Sequence, residues 1–307
     1  MSALEDHVAE YLRLRRGLGY KLQREEQILP SLIAHVRAAG ASSITSQLAI
    51  EWAKSTGAAP RTCAARLTSA RGFAAYLQTI DPATEVPPHG VFASHYRRPA
   101  PYLWSQADIR RLLEAAGALE PPLKAATMQA LFGLLAVSGM RVGEVVAVGR
   151  DDVDLAAGVI RVGEQITKHE RARLLPLHPT TVTALRGYAR ARDRLCPNPS
   201  ATTFFVAADG GALDRHAVHR AMKKLTTQLG LRSDTVRPRS HDLRHSFAIR
   251  TLLDCQQAGE RVDERIATLA TYLGHVAPSD TYWYLTATPE LMGLAAQRLD
   301  DRFGARP

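Results

Sequence analysis

The chain has 307 residues, enough for two domains and a sizeable core, and its 46% hydrophobic and 22% charged content is that of a globular protein rather than a disordered one. Lys and Arg number 39 against 30 Asp and Glu, a net charge of +9 that favours a polyanionic partner, with nucleic acid first in line. A membrane span needs about 18 uninterrupted apolar residues, and the most apolar window, Ala130 to Val137, stops at Ser138 and Gly139. Glu5, Asp6 and Glu10 stand where a secretory signal would carry a basic head and an apolar stretch, so a cytoplasmic, nucleoid-associated protein is expected. Cys63, Cys196 and Cys255 are odd in number and far apart, which supports neither a disulfide framework nor a paired-cysteine metal site.

In chain order, the first part reads as helical. Tyr11, Leu14 and Leu18 recur at helical spacing, as do Leu29, Ile33 and Val36, then Leu67, Ala70, Ala74 and Leu77, and Gly40 fits a helix stop. Arginines such as Arg61, Arg66 and Arg71 lie between these apolar positions and would decorate the outside of a small bundle, either as a solvated face or as phosphate contacts. From Asp81 to Pro101 the periodicity fails among Pro82, Pro87, Pro88, Gly90, Pro99 and Pro101, so this stretch is the expected linker between a domain over 1–95 and a second over 102–307. Arg97 and Arg98 within it could lie along a DNA backbone.

The second domain opens where Ser105 and Asp108 resemble a capping box ahead of Ile109, Leu112 and Leu113. An apolar helix follows from about Thr127 to Ser138 and ends at Gly139. Gly158 to Val162 and Arg173 to Leu177 then read as two strands of a hairpin with a polar turn around Thr167 to Arg171, and helices resume from about Thr180. The fold class is mainly α: an N-terminal helical bundle and a mostly helical second domain with a small antiparallel β-sheet.

Polar residues in this second domain carry the functional reading. A phosphodiester under attack gathers negative charge on its equatorial oxygens, and guanidinium groups suit it because their planar fork donates two hydrogen bonds and keeps its charge. Arg141 follows the helix-ending glycine in Gly139-Met140-Arg141-Val142-Gly143-Glu144, where Glu144 could hold Arg141 in place, and Arg244 sits in His241-Asp242-Leu243-Arg244. His241, and His275 after Gly274, could exchange protons or donate to the phosphate; neither has a standard zinc-ligand spacing. A tyrosine hydroxyl, with its pKa near 10, becomes a useful nucleophile once its proton is taken or its anion stabilised. Tyr272, Tyr282 and Tyr284 are all available near the end of the chain.

In this order and with these neighbours, the residues resemble the signature of the tyrosine recombinase (phage integrase) family. The resemblance covers essentially the whole second domain and only loosely the first, which would be the helical, DNA-gripping core-binding domain. It implies a site-specific DNA recombinase, encoded by a transposon or other mobile element, that cuts and rejoins DNA through a 3′-phosphotyrosyl intermediate. The family's tyrosine lies nine positions after its second histidine, which lands on Tyr284. The resemblance also places the proton donor for the 5′ oxygen on a hairpin lysine, here Lys168, although no Gly-Lys-Gly tripeptide marks the turn. The implied catalytic set is Arg141, Lys168, His241, Arg244, His275 and Tyr284. Double-stranded DNA is the implied partner, with a homotetramer on two DNA sites and a C-terminal tail that docks onto a neighbouring subunit. No metal, nucleotide, cofactor or membrane is expected. Two rivals stand beside it: a type IB topoisomerase that relaxes DNA, and a non-catalytic DNA-binding accessory protein derived from an integrase.

Overall fold

The computed structural model describes residues 3–92, 100–163 and 172–274. The chain forms two compact units, Met1–Pro99 and Ala100–Pro307. In the first, four helices are described: α1 (Ala3–Gly17), α2 (Gln23–Ala38), α3 (Ser46–Lys54) and α4 (Pro60–Leu77). Thr45 starts α3 by accepting a hydrogen bond from the Leu48 amide at 3.2 Å, which satisfies one of the donors that a helix start leaves open. Leu29, Ile33 and Val36 of α2 and Leu67, Ala70, Ala74 and Leu77 of α4 are all buried, as their spacing predicts.

The α1 reading needs correction. Tyr11 is buried, but Leu14 and Leu18 are exposed, and the core-facing residues are Val8, Tyr11 and Leu12. Leu18 lies beyond the helix end at Gly17, and Leu14 sits on the opposite side of α1 from Leu12. A 3.6-residue repeat admits either stripe, and packing against the neighbouring helices selects one of them.

The proline-rich stretch from Asp81 has neither helix nor strand as far as Phe92, yet its first part is anchored to the helical unit. Arg71 donates to the carbonyls of Pro87 and Pro88 at 2.8 and 2.7 Å, and the Glu85 amide donates to Ile44 O at 2.8 Å. Proline removes backbone donors but leaves its carbonyls as acceptors, so a prolyl segment can be held by a neighbouring arginine without regular secondary structure.

The second unit is built around α6 (Pro122–Ser138). Its buried residues run round most of the helix, including Leu123, Met128, Leu131, Phe132 and Leu135, the pattern of a central rather than an amphipathic surface helix. Against it pack α5 (Gln106–Gly117), α8 (Pro179–Leu195) and α10 (Ser240–Gln257). Ser105 Oγ accepts from the Asp108 amide at 3.0 Å, so the expected cap at the start of α5 is formed. Also described are α7 (Val142–Ala147), α9 (Arg215–Gln228) and α11 (Val262–Leu273).

The hairpin strands are β2 (Val159–Val162) and β3 (Arg173–Pro176), antiparallel with Ile160 opposite Leu175 and both buried. A two-residue strand, β1 (Val153–Asp154), pairs with β2 to complete a three-stranded antiparallel sheet. It is too short to leave a periodic signal in the sequence. Among the described residues no helix is long and apolar enough to cross a membrane.

Candidate active site

Gly139 closes α6 in the left-handed region, at φ +60°. A Cβ there would lie 2.6 Å from the Phe247 ring and 2.9 Å from Leu273, so both backbone angle and space require glycine. The close approach brings the turn carrying Arg141 against α10 and the end of α11.

Arg141 then opens α7. Glu144, three residues on, accepts from the Arg141 amide at 2.9 Å through Oε2 and from its guanidinium at 2.9 Å through Oε1. The Glu144 side chain is only 2% exposed, whereas Arg141 is 27% exposed. Its Nη2 also reaches Gly274 O at 3.5 Å. Glu144 therefore holds Arg141, as the sequence suggests, while the Arg141 side chain remains partly exposed.

Glu144 has a second partner that the sequence reading did not single out. Arg173, at the start of β3, donates to Oε2 at 2.7 Å and to Oε1 at 3.3 Å, and its Nε donates to Tyr272 O at 3.0 Å. Burial alone would push the Glu144 carboxyl up. The hydrogen bond and charge of Arg173, followed by the amide and charge of Arg141, outweigh burial and hold it below the usual carboxylate range. A signal existed: residues two apart in a strand share a face, which puts Arg173 beside buried Leu175 and away from exposed Leu174. A charge on the inward face of a strand needs a buried partner.

Arg244 is buried in the first half of α10, at 1% exposure. Its Nη1 donates to Gly139 O at 2.7 Å and its Nη2 to Leu273 O at 2.9 Å. Arg244 thus ties the residue two before Arg141 to the residue two before His275. The start of α10 is fixed by Asp242, which accepts from the Arg239 amide and guanidinium, both at 2.8 Å. His241 precedes Arg244 by three residues, so the two lie on the same side of α10; His241 is exposed and its ring meets that of His245 edge to face at 4.7 Å. Tyr272, one of the three late tyrosines, stacks on Phe247 at 5.7 Å, and burial raises its hydroxyl pKa, so packing accounts for it.

Lys168, His275, Tyr284, Arg97 and Arg98 lie outside the described residues. In the first unit, Arg61 is exposed at the start of α4. Arg66 lies over the Trp52 ring at 4.1 Å and donates to Trp52 O at 3.0 Å. Arg71 holds the prolyl segment as described above. The structure therefore brings together Arg141, Arg244, Glu144, Arg173 and the end of α11 inside one unit.

A helical unit followed by a mostly helical unit with a three-stranded antiparallel sheet is an integrase-like architecture. Residues 104–290 match the family model described as the phage integrase family. The chain belongs to that family, the tyrosine recombinases. A Sinorhizobium fredii (strain NBRC 101917 / NGR234) protein described as an integrase/recombinase, y4rB, is 40% identical over the full length of both chains. Among solved structures, the Tn1549 transposon integrase in complex with transposon right end DNA aligns with a TM-score of 0.67 at 17% identity, covering 98% of this chain and 99% of that one. The lambda integrase tetramer bound to a Holliday junction aligns with a TM-score of 0.61 at 14% identity, covering 92% of this chain and 76% of that one. At these identities the structural matches speak to the fold alone.

Proposed function

We propose that this chain is a site-specific DNA recombinase of a mobile element, which cleaves and rejoins DNA through a covalent bond between Tyr284 and the 3′ phosphate. The observation that carries the reading is the placement of Arg244. From α10 it binds the backbone on both sides of the cluster, at Gly139 and Leu273, so three motif segments far apart in sequence meet around Arg141.

In this mechanism the Tyr284 hydroxyl oxygen attacks phosphorus, and the bond from phosphorus to the 5′ oxygen breaks. The proton leaves the tyrosine toward His241, while Lys168 protonates the departing 5′ oxygen. Arg141 and Arg244, with His275, stabilise the charge on the non-bridging oxygens. The freed 5′ hydroxyl of a partner strand then attacks the phosphotyrosine, expelling Tyr284 and restoring a phosphodiester. Each step exchanges one phosphoester for another, so no nucleotide need be consumed. The residues 1–95 would grip DNA through arginines such as Arg61, Arg66 and Arg71, with Arg97 and Arg98 along the backbone. Four protomers would act on two double-stranded sites in the cytoplasm, at the nucleoid. The lambda integrase tetramer on its junction supports that assembly by analogy of fold.

The test is a nicked suicide substrate carrying the element's end sequence, with the adduct mapped by peptide mass. Wild type should form a denaturant-resistant adduct at Tyr284. Tyr284→Phe should form none while binding DNA nearly as wild type does, and Tyr282→Phe should remain active. An adduct on Tyr282, or none in wild type, overturns the reading.

A further inference from the structure

The two arginines on Glu144 are unequal in exposure and in what they can reach. Arg173 is 10% exposed and spends three donors inside the protein, two on Glu144 and one on Tyr272 O. Arg141 is more open, and its contact with Glu144 uses one backbone and one guanidinium donor. The buried carboxylate thus has two cations, one walled in and one at the surface of the site.

Charge arithmetic gives this arrangement a consequence. Arg141 and Glu144 alone would form a neutral pair, and a neutral pair attracts a phosphate weakly. With Arg173 the trio carries one net positive charge, and the more exposed member is the one able to present it. We infer that Arg173 is a positioning residue for the proposed strand cleavage: it takes up the charge of Glu144 from behind, so that Arg141 is held in place by the carboxylate without losing its attraction for the scissile phosphate. The inference rests on the recombinase reading and adds a residue to it. The held-down Glu144 carboxyl agrees, since Arg173 lowers it more than Arg141 does.

The geometry around Arg173 extends its reach to the next motif. Gly274 has φ +68°, and a Cβ built there would lie 2.9 Å from Arg173 Nη1. With Nε on Tyr272 O, the guanidinium packs against the backbone turn that leads into His275, so one side chain braces the Arg141 turn and the end of α11 together. The glycine of Leu273-Gly274-His275 is favoured by its positive backbone angle, and an added Cβ would press on the Arg173 guanidinium.

The experiment compares wild type, Arg173→Gln, Arg173→Lys, and the double variant Glu144→Gln with Arg173→Gln, by single-turnover cleavage of the suicide substrate and by DNA affinity. Arg173→Gln makes the trio neutral; the double variant restores the net charge of wild type. Arg173→Gln should slow cleavage about tenfold or more, the scale of a lost electrostatic contribution in a preorganised site, with affinity changed by no more than about twofold because one interior charge is a small part of the phosphate contacts. The double variant should recover most of that loss, and Arg173→Lys should stay well above Arg173→Gln. A double variant no faster than Arg173→Gln, or a lysine variant as slow as the glutamine one, overturns the inference, because a purely geometric brace would lose rate in both. Should Arg173→Gln alone fail to fold, the double and lysine variants are compared with wild type directly: rates within about tenfold of wild type support the inference, and losses of about a hundredfold in both overturn it. Wild type is the control for the underlying reading. No wild-type adduct at Tyr284 sinks the recombinase mechanism, whereas a normal wild-type adduct without recovery in the double variant sinks only the role of Arg173.

Discussion

On α4, Arg66 lies against Trp52 and Arg71 against two prolyl carbonyls, each bonding near its own helix and keeping part of its surface in solvent. In the Ala100–Pro307 unit, Arg244 and Arg173 are turned inward, and each binds chain segments far away in sequence. The side chain is the same in both units; burial and the partners differ. An arginine that satisfies nearby carbonyls stabilises a segment, while Arg244, on two distant carbonyls, and Arg173, on a distant carbonyl and a carboxylate, join separate segments of the chain. The two groups should therefore fail differently when truncated, one through chemistry and fold together and the other through stability or salt-dependent binding.

The largest separation is expected between inward-turned Arg244 and the more exposed Arg141. Arg244→Ala should lower the cleavage rate on the order of a hundredfold or more through loss of a preorganised donor. It should also destabilise the protein, because Gly139 O and Leu273 O would be left in the interior, at about 1–3 kcal/mol for each unsatisfied group. Arg141→Ala should cost a similar factor in rate with a much smaller fall in Tm, since its side chain is more exposed. Paired measurements of single-turnover rate and thermal unfolding check this, and equal Tm losses for the two variants would erase the distinction.

In the first unit the expected effects are smaller and of another kind. Arg61→Ala should leave Tm nearly unchanged and reduce the slope of log affinity against log salt by about 0.9, the value for one phosphate contact. Arg71→Ala should lower Tm by loosening the segment from Asp81. Titrations at several salt concentrations, alongside melting curves, distinguish the two. An Arg61 variant with an unchanged slope would mark that residue as a solvated face.

The smallest effect should appear in the pH dependence of stability. The Glu144 carboxyl is held below its ordinary range by Arg173 and Arg141 despite burial. A carboxyl depressed in the folded state contributes stability that is fully present above its unfolded pKa of about 4.3 and is lost as pH falls through the lower folded value. The Tm difference between wild type and Glu144→Gln should therefore be constant near neutrality and shrink below about pH 4. A difference independent of pH down to acid unfolding would mean the carboxylate charge contributes nothing to holding Arg141 and Arg173.

Much of this architecture was legible from residue spacing. The α2 and α4 stripes, the apolar helix stopped by Gly139, the Ser105 cap and the paired strands β2 and β3 follow from apolar period, capping chemistry and turn residues, which act over a few positions. The motif around Arg141 could be read in the same way, including Glu144 as its holder, because the contact spans three residues on one short helix. The side of α1 that packs inward was not legible, since Leu14 and Leu12 are equally apolar and only neighbouring helices decide between them. Nor was the two-residue strand β1, whose existence depends on β2 as a template.

Arg173 shows most clearly where the sequence stops. Its local context gives a strand residue beside Leu175, with a charge on the inward face. Its partners, Glu144 and the carbonyl of Tyr272, lie 29 and 99 residues away. Local propensity and period determine which helices and strands form; the partner of a buried charge is decided only when tertiary packing removes water and leaves one carboxylate within reach.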